Sequence, residues 1–64
     1  MSAPVRVTMR DIRAAGLCSR GARGFFERHG LDWSRFLDEG IEAEVLEATG
    51  DANALRVVEV ARGR

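Results

Sequence analysis

The chain contains no lysine and no tyrosine, one proline and one cysteine. A lone cysteine, Cys18, cannot form an intrachain disulfide, which fits a reducing compartment. Without lysine there is no Walker A phosphate loop, because that motif requires one. No apolar run approaches the ~20 residues that span a bilayer, and the first residues lack the apolar segment of a signal peptide. We therefore expect no membrane association and no signal-directed secretion.

Length and composition predict one small, ordered domain. A 64-residue chain buries only about 60% of its unfolded surface and is marginally stable alone. Its hydrophobic fraction of 45% is normal for a globular protein. Aromatic residues are few, and we expect Trp33 and Phe36 to form the main core with Phe25 or Phe26.

The charges are balanced overall but unevenly placed. Residues 1–35 carry seven arginines against three acids, whereas residues 36–64 carry seven acids against three arginines. This asymmetry can be satisfied within the fold or between neighbouring copies. The exclusive use of arginine is typical of GC-rich genomes, and it also suits bidentate contacts to phosphate or carboxylate.

Three glycines are each followed by a large aliphatic residue, a pattern typical of helix ends. A helix commonly stops at a left-handed glycine, and the next residue then packs about five positions upstream. The pairs are Gly16-Leu17, Gly30-Leu31 and Gly40-Ile41, with expected upstream contacts at Ile12, Phe26 and Phe36. All three upstream residues are apolar, so we predict positive φ angles at the three glycines.

These signals predict an all-α domain of four to five short helices, over residues 8–64, after an extended arm at residues 1–7. The helices are expected at residues 9–15, 20–29, 33–39, 42–48 and 52–62. Residues suited to cap four of them precede their first turns. They are Thr8 (paired with Asp11), Ser19, Asp32 and Asp51.

The last helix has an apolar arc wider than one short helix normally buries. Val57 and Val60 lie three apart on one face, and we expect that face to meet another chain. Val5 and Val7 of the arm alternate with Arg6 and could add to a partner's sheet edge. The predicted partner-binding residues are therefore Val5, Val7, Val57 and Val60.

The residues with reactive side chains do not form a recognisable catalytic or metal-binding pattern. A structural zinc site needs four ligands, and Cys18 and His29 are the only thiol and imidazole. A catalytic Cys18 would need His29 as base and a third, orienting group. A solvent-exposed helix face explains the acids Glu42, Glu44 and Glu47 better than a catalytic pair does. We expect no enzyme, no cofactor, no metal and no small-molecule substrate.

DNA binding is the alternative that the sequence leaves open. The first two predicted helices and the turn between them have helix-turn-helix proportions. Arg20, Arg23 and Arg28 would lie on the second helix, where a recognition helix contacts bases. A pI near 6.6 and the polar Asp11 in the first helix argue against it.

Residues 12–62 carry four short motifs: C-x-x-G-x-R-x-F/W-F, HGLD-W/F-x-x-F, G-I-x-A-E and A-T-G-D-A. In these the chain resembles small uncharacterised proteins of tailed bacteriophages and prophages of GC-rich bacteria. The resemblance implies a phage setting, in the host cytoplasm or the virion, and it assigns no activity and no site residue. We therefore expect a non-enzymatic protein–protein interaction module, for example a multi-copy virion or assembly component. A protein partner or self-association is expected, with the helix-turn-helix DNA-binding regulator as the alternative.

Overall fold

The computed structural model describes residues 5–63, which form five helices and one two-stranded sheet. The elements in chain order are β1 (Arg6–Val7), α1 (Met9–Ala14), α2 (Ser19–Arg28), α3 (Trp33–Glu39), β2 (Ile41–Glu42), α4 (Ala43–Thr49) and α5 (Ala52–Arg62). The predicted all-α class is therefore right in the main, and the small sheet is the departure from it.

Two helices begin where their aspartate caps predict. Asp32 Oδ1 accepts a hydrogen bond from the backbone N–H of Arg35 at 2.9 Å, at the start of α3. Asp51 Oδ2 accepts one from the backbone N–H of Ala54 at 3.0 Å, at the start of α5. Each carboxylate satisfies a backbone donor that the first helical turn leaves unpaired.

The cap of α2 differs from the prediction. The chain is still extended at Cys18 and is already helical at Ser19, so the cap is Cys18. Its Sγ accepts a hydrogen bond from the backbone N–H of Gly21 at 3.4 Å. The opposite shift occurs at α4, which starts one residue later than predicted, at Ala43, because the two residues before it belong to β2.

Two of the glycine helix ends form as predicted. Gly16 and Gly30 have φ angles of 82° and 66°. The backbone N–H of Leu17 donates to the carbonyl of Ile12 at 3.1 Å, and that of Leu31 donates to the carbonyl of Phe26 at 2.8 Å. These bonds join the residue after each glycine to the position five upstream, as in a Schellman motif.

Gly40 also has the predicted positive φ, 78°, but it ends α3 in another way. Its ψ of −177° sends the chain into an extended conformation that is almost exclusive to glycine. Its N–H donates to the carbonyl of Phe36 at 2.7 Å, and Ile41 then enters β2 opposite Val7. The difference arises because the chain must continue as a strand.

The extended segment at the start of the described chain belongs to the fold. β1 pairs with β2 in antiparallel register, with Arg6 opposite Glu42 and Val7 opposite Ile41. Residues 1–4 of the predicted arm lie outside the described residues. The part that is described is extended, as expected, but it is held by the chain's own β2.

The core forms around α5, which packs mainly against α4, α1 and β1. A second group of elements, α2 and α3, joins the core through aromatic rings. Phe26 lies 4.7 Å from Phe36 and 5.3 Å from Trp33, between ring centroids, so the predicted aromatic cluster is present. The buried apolar residues are Val7, Ile12, Ala15, Phe26, Phe36, Ala43, Leu46, Ala54, Val57, Val58 and Ala61.

Replacing Gly40 by alanine should destabilise the domain more than replacing Gly16. A Cβ at residue 40 would lie 2.9 Å from the carbonyl oxygen of Val7, whereas one at residue 16 would meet nothing within 4 Å. We expect Gly16→Ala to lower the free energy of unfolding by about 1–2 kcal/mol, from left-handed strain alone. Gly40→Ala should lower it by about 3 kcal/mol or more, measured by urea denaturation. Equal losses would contradict the close approach of β1.

Phe36 and its neighbour Leu37 provide a second matched pair. Phe36→Ala removes a ring that is 2% exposed and should cost about 3–5 kcal/mol, enough to unfold so small a domain. Leu37 is 55% exposed, so Leu37→Ala should change the free energy of unfolding by about 0.5 kcal/mol or less. Circular dichroism on heating measures both. An unchanged melting temperature for Phe36→Ala would place that ring outside the core.

Candidate functional site

The face of α5 that was predicted to meet a partner is largely core. Val57 is 3% exposed and Val60 is half-buried against the core cluster. The prediction that Val57 forms an exposed contact surface is therefore wrong. Its physical reason is that α5 is packed by α4, α1 and β1, so this short helix buries more of its apolar arc than the sequence suggested.

The predicted partner contacts of the N-terminal segment are also corrected. Val7 is fully buried, and its strand already pairs with β2. The Val5 carbonyl accepts a hydrogen bond from the backbone N–H of Ala43 at 3.0 Å. One edge of this segment is therefore already paired within the chain, and the Val7 side chain belongs to the core and not to a contact surface.

An open cleft of about 320 Å³ lies between α2 on one side and α4 and α5 on the other. It exists because α2 packs mainly against α1 and α3, and because small residues, Gly21 and Ala22, face α5 across the gap. We call this space the α2 cleft. Its apolar lining includes Ile12, Ala22, Phe25, Leu46, Ala54 and Val57.

Polar groups are confined to a few lining residues of the α2 cleft. Arg28 contributes from the C-terminal end of α2. Asp51 and Asn53 contribute from the start of α5, and Asp51 is already engaged as the helix cap. The arrangement is suited to binding apolar groups, with one arginine available for an acidic neighbour.

The only thiol and the only imidazole do not form a pair. Cys18 precedes the first residue of α2 and His29 follows the last, so the helix separates them by roughly 16 Å at 1.5 Å per residue. The His29 ring packs on Phe25, with centroids 4.4 Å apart. Among residues 5–63, no group of three or more His, Cys, Asp or Glu side chains could hold a metal ion.

The three arginines of the DNA-binding alternative are exposed on α2, but they differ in their surroundings. Arg23 Nε lies 3.8 Å from Glu27 Oε1, which places an acid on the same helix face. Arg28 lines the α2 cleft. A helix–turn–helix order is present in α1 and α2, while the arginine surface on α2 is partly neutralised.

Asp11 is the one buried charged residue in the described chain, at 1% exposed. Its Oδ2 accepts hydrogen bonds from the Thr8 backbone N–H at 2.9 Å and from the Thr8 hydroxyl at 3.3 Å. The Thr8–Asp11 pairing at the start of α1 is confirmed, and the burial of Asp11 was not predicted. Its role in the described contacts is to hold the first turn of α1.

Three large apolar side chains project from the other helices. Leu37 on α3 is 55% exposed, Leu55 on α5 is 42% exposed and Val45 on α4 is 37% exposed. None of them lines the α2 cleft. The sequence analysis predicted neither the exposure of these three side chains nor the cleft. The adjacent small residues Gly21 and Ala22, in a helix that glycine weakens, were the one signal that pointed to the cleft.

Comparison of the chain with protein-family models, with curated proteins and with solved structures gives no match. Of the helices in residues 5–63, none has both the length and the apolar character needed to cross a bilayer.

The floor of the α2 cleft should be essential for folding and the outer side of α5 should not. Val57→Asp would bury an unpaired charge, which costs several kcal/mol, so we expect the domain to unfold. Leu55→Asp makes the same charge change on the exposed side of the same helix and should cost about 1 kcal/mol or less. Far-ultraviolet circular dichroism and one-dimensional NMR distinguish the two results. A folded Val57→Asp variant would show that Val57 lies at the surface and not in the core.

Proposed function

We propose that this protein is a small, non-enzymatic protein–protein interaction module, and that it receives an apolar segment of its partner in the α2 cleft. The observation that carries the proposal is the cleft itself. It is a concave, mostly apolar space of about 320 Å³ that is open to solvent, as binding sites commonly are. That volume lies at the lower end of the range of ligand sites, about 300–1,000 Å³, and suits a few side chains.

Gly21 supports the proposal because the fold of the chain does not require a glycine at that position. A Cβ at residue 21 would lie 3.6 Å from Cys18 Sγ, an ordinary contact. Alanine in place of glycine would favour the helix by about 1 kcal/mol. A glycine that weakens α2 while keeping one wall of the cleft bare is consistent with close approach by a partner.

The proposed biological setting comes from the resemblance to small proteins of tailed bacteriophages and prophages. In that setting we place the module in the host cytoplasm or the virion, as an assembly or virion component present in several copies. The helix-turn-helix regulator remains the alternative. It has the support of three exposed arginines on α2, and it is weakened by the Arg23–Glu27 pair and by zero net charge.

Two glutamate substitutions one helical turn apart test the cleft. Gly21→Glu places a carboxylate at the lining of the cleft, whereas Gly24→Glu makes the same charge change at a residue that does not line it. Both should raise the free energy of unfolding, by up to ~1 kcal/mol. The apolar dye anilinonaphthalene sulfonate should bind wild type and Gly24→Glu, with NMR shifts at Ala22 and Ala54. Gly21→Glu should bind it at least tenfold more weakly.

The same two variants connect the cleft to a partner. Affinity purification from producing cells, with mass spectrometry, should recover a protein with wild type and Gly24→Glu and lose it with Gly21→Glu. Equal recovery with both variants would contradict the role of the cleft. Recovery of nucleic acid that is lost on replacing Arg20 and Arg23 by glutamine would favour the regulator.

A further inference from the structure

We propose that this protein has a second binding surface, on the outer side of α1 and α2, which contacts the phosphate backbone of a double-stranded nucleic acid without regard to its sequence. Three residues form this surface, Arg10, Arg13 and Arg20, and we call it the arginine face. None of the three lines the α2 cleft, so the inference goes beyond the proposed function and uses a different part of the molecule.

The burial pattern places the three arginines on the outer sides of two neighbouring helices. In α1, Arg10 and Arg13 lie three positions apart and are exposed, away from the two buried residues of that helix. In α2, the side that carries Ala22 and Phe26 faces inward, and Arg20 is exposed on the other side. The helices pack against each other and are joined by residues 15–18 alone, which keeps Arg13 and Arg20 near the same turn.

The arginine face keeps its charge because no acid pairs with it. Among residues 5–63, none of its three guanidinium groups forms an ion pair, whereas Arg23 and two arginines of other helices each pair with a glutamate. The two helices carry two acids, of which Asp11 is buried and Glu27 lies beside Arg23. Glu27 is seven positions from Arg20, or about 10 Å along the helix. Three positive charges are therefore left for an external anion.

The surroundings of the arginine face favour a polyanion over a protein or a membrane. In the described chain the large apolar side chains that are exposed lie on α3, α4 and α5, and none lies on α1 or α2. A protein interface normally has an apolar centre, and a membrane-binding helix carries apolar residues beside its basic ones. Phosphate groups need only positive charge and N–H donors, and the guanidinium group supplies both in a bidentate arrangement.

The aromatic residues of α2 indicate a duplex and not a single strand. Proteins that bind single strands stack the bases on accessible aromatic rings. Phe26 is buried and Phe25 is half-buried, and α1 has no aromatic residue. Contacts to phosphates fix position and carry no sequence information. This separates the arginine face from the helix-turn-helix alternative, in which α2 alone enters a groove and reads bases.

Fluorescence anisotropy with two labelled duplexes of unrelated sequence, each of about 20 base pairs, tests the proposal by the salt dependence of binding. With three phosphate contacts, the logarithm of the association constant should fall with that of the salt concentration with a slope of about −2.7. Binding should therefore weaken about 40-fold between ~50 and ~200 mM salt. The two duplexes should bind within about twofold of each other, because phosphates are common to all sequences.

Single substitutions assign the contacts. Arg10→Gln, Arg13→Gln and Arg20→Gln should each make the salt slope shallower by about one unit and weaken binding to both duplexes equally. Arg35→Gln removes the same charge from α3, where Glu39 already pairs with it, and should leave the slope unchanged. Circular dichroism confirms that each variant is folded.

Several results would overturn the proposal. One is no binding by wild type at ~50 mM salt with protein at up to ~1 mM. Another is an equal loss in Arg35→Gln, which would show that net charge and not the arginine face is responsible. A tenfold preference for one duplex would favour the regulator, and tighter binding to phosphatidylserine vesicles than to either duplex would favour a membrane surface. None of these results affects the test of the α2 cleft with Gly21→Glu and Gly24→Glu.

Discussion

The burial of α5 is the interaction on which the other elements depend. This helix presents Ala54, Val57, Val58 and Ala61 to the interior, and the two alanines allow neighbouring backbones to approach closely. α4, α1 and β1 pack around it, and Arg62 ties its end to Glu47 of α4 through two hydrogen bonds of 3.0 and 2.9 Å. This one helix supplies four of the eleven buried apolar residues, more than any other element, and a chain of this size has little apolar area to spare.

The cleft follows from how the remaining helices attach to that core. α2 and α3 do not wrap α5; they are fixed by the cluster of Phe26, Trp33 and Phe36 and by the contact of α2 with α1. Large side chains hold them at one end, and small ones face α5 across the gap at the other. A large apolar residue in place of Ala22 would fill that gap, so the opening is a property of residue size at the cleft wall and not of the helix order.

The helices could be predicted from residues close together in sequence. The strand pairing and the cleft depend on residues far apart in sequence, and they could not. Capping aspartates and glycine ends depend on residues within about five positions, so the bounds of α3 and α5 were predicted correctly. Strands of two residues have no periodicity to detect, which is why the pairing of Val7 with Ile41 was missed. That pairing in turn buried residues that looked available for a partner. Gly21 and Ala22 mark small residues on one wall of the cleft, but the sequence does not say which helix they face or at what distance, so the cleft itself could not be predicted.

The helix that its sequence weakens most, α2, is also the helix that forms one wall of the cleft. Two glycines weaken this helix, and room exists for a Cβ at both, so packing within the chain explains neither. A domain near the lower size limit of stable folding has little free energy of unfolding to lose. Under the proposed function, Gly21 leaves one wall of the apolar cleft bare, and the partner that approaches it there compensates for the weaker helix.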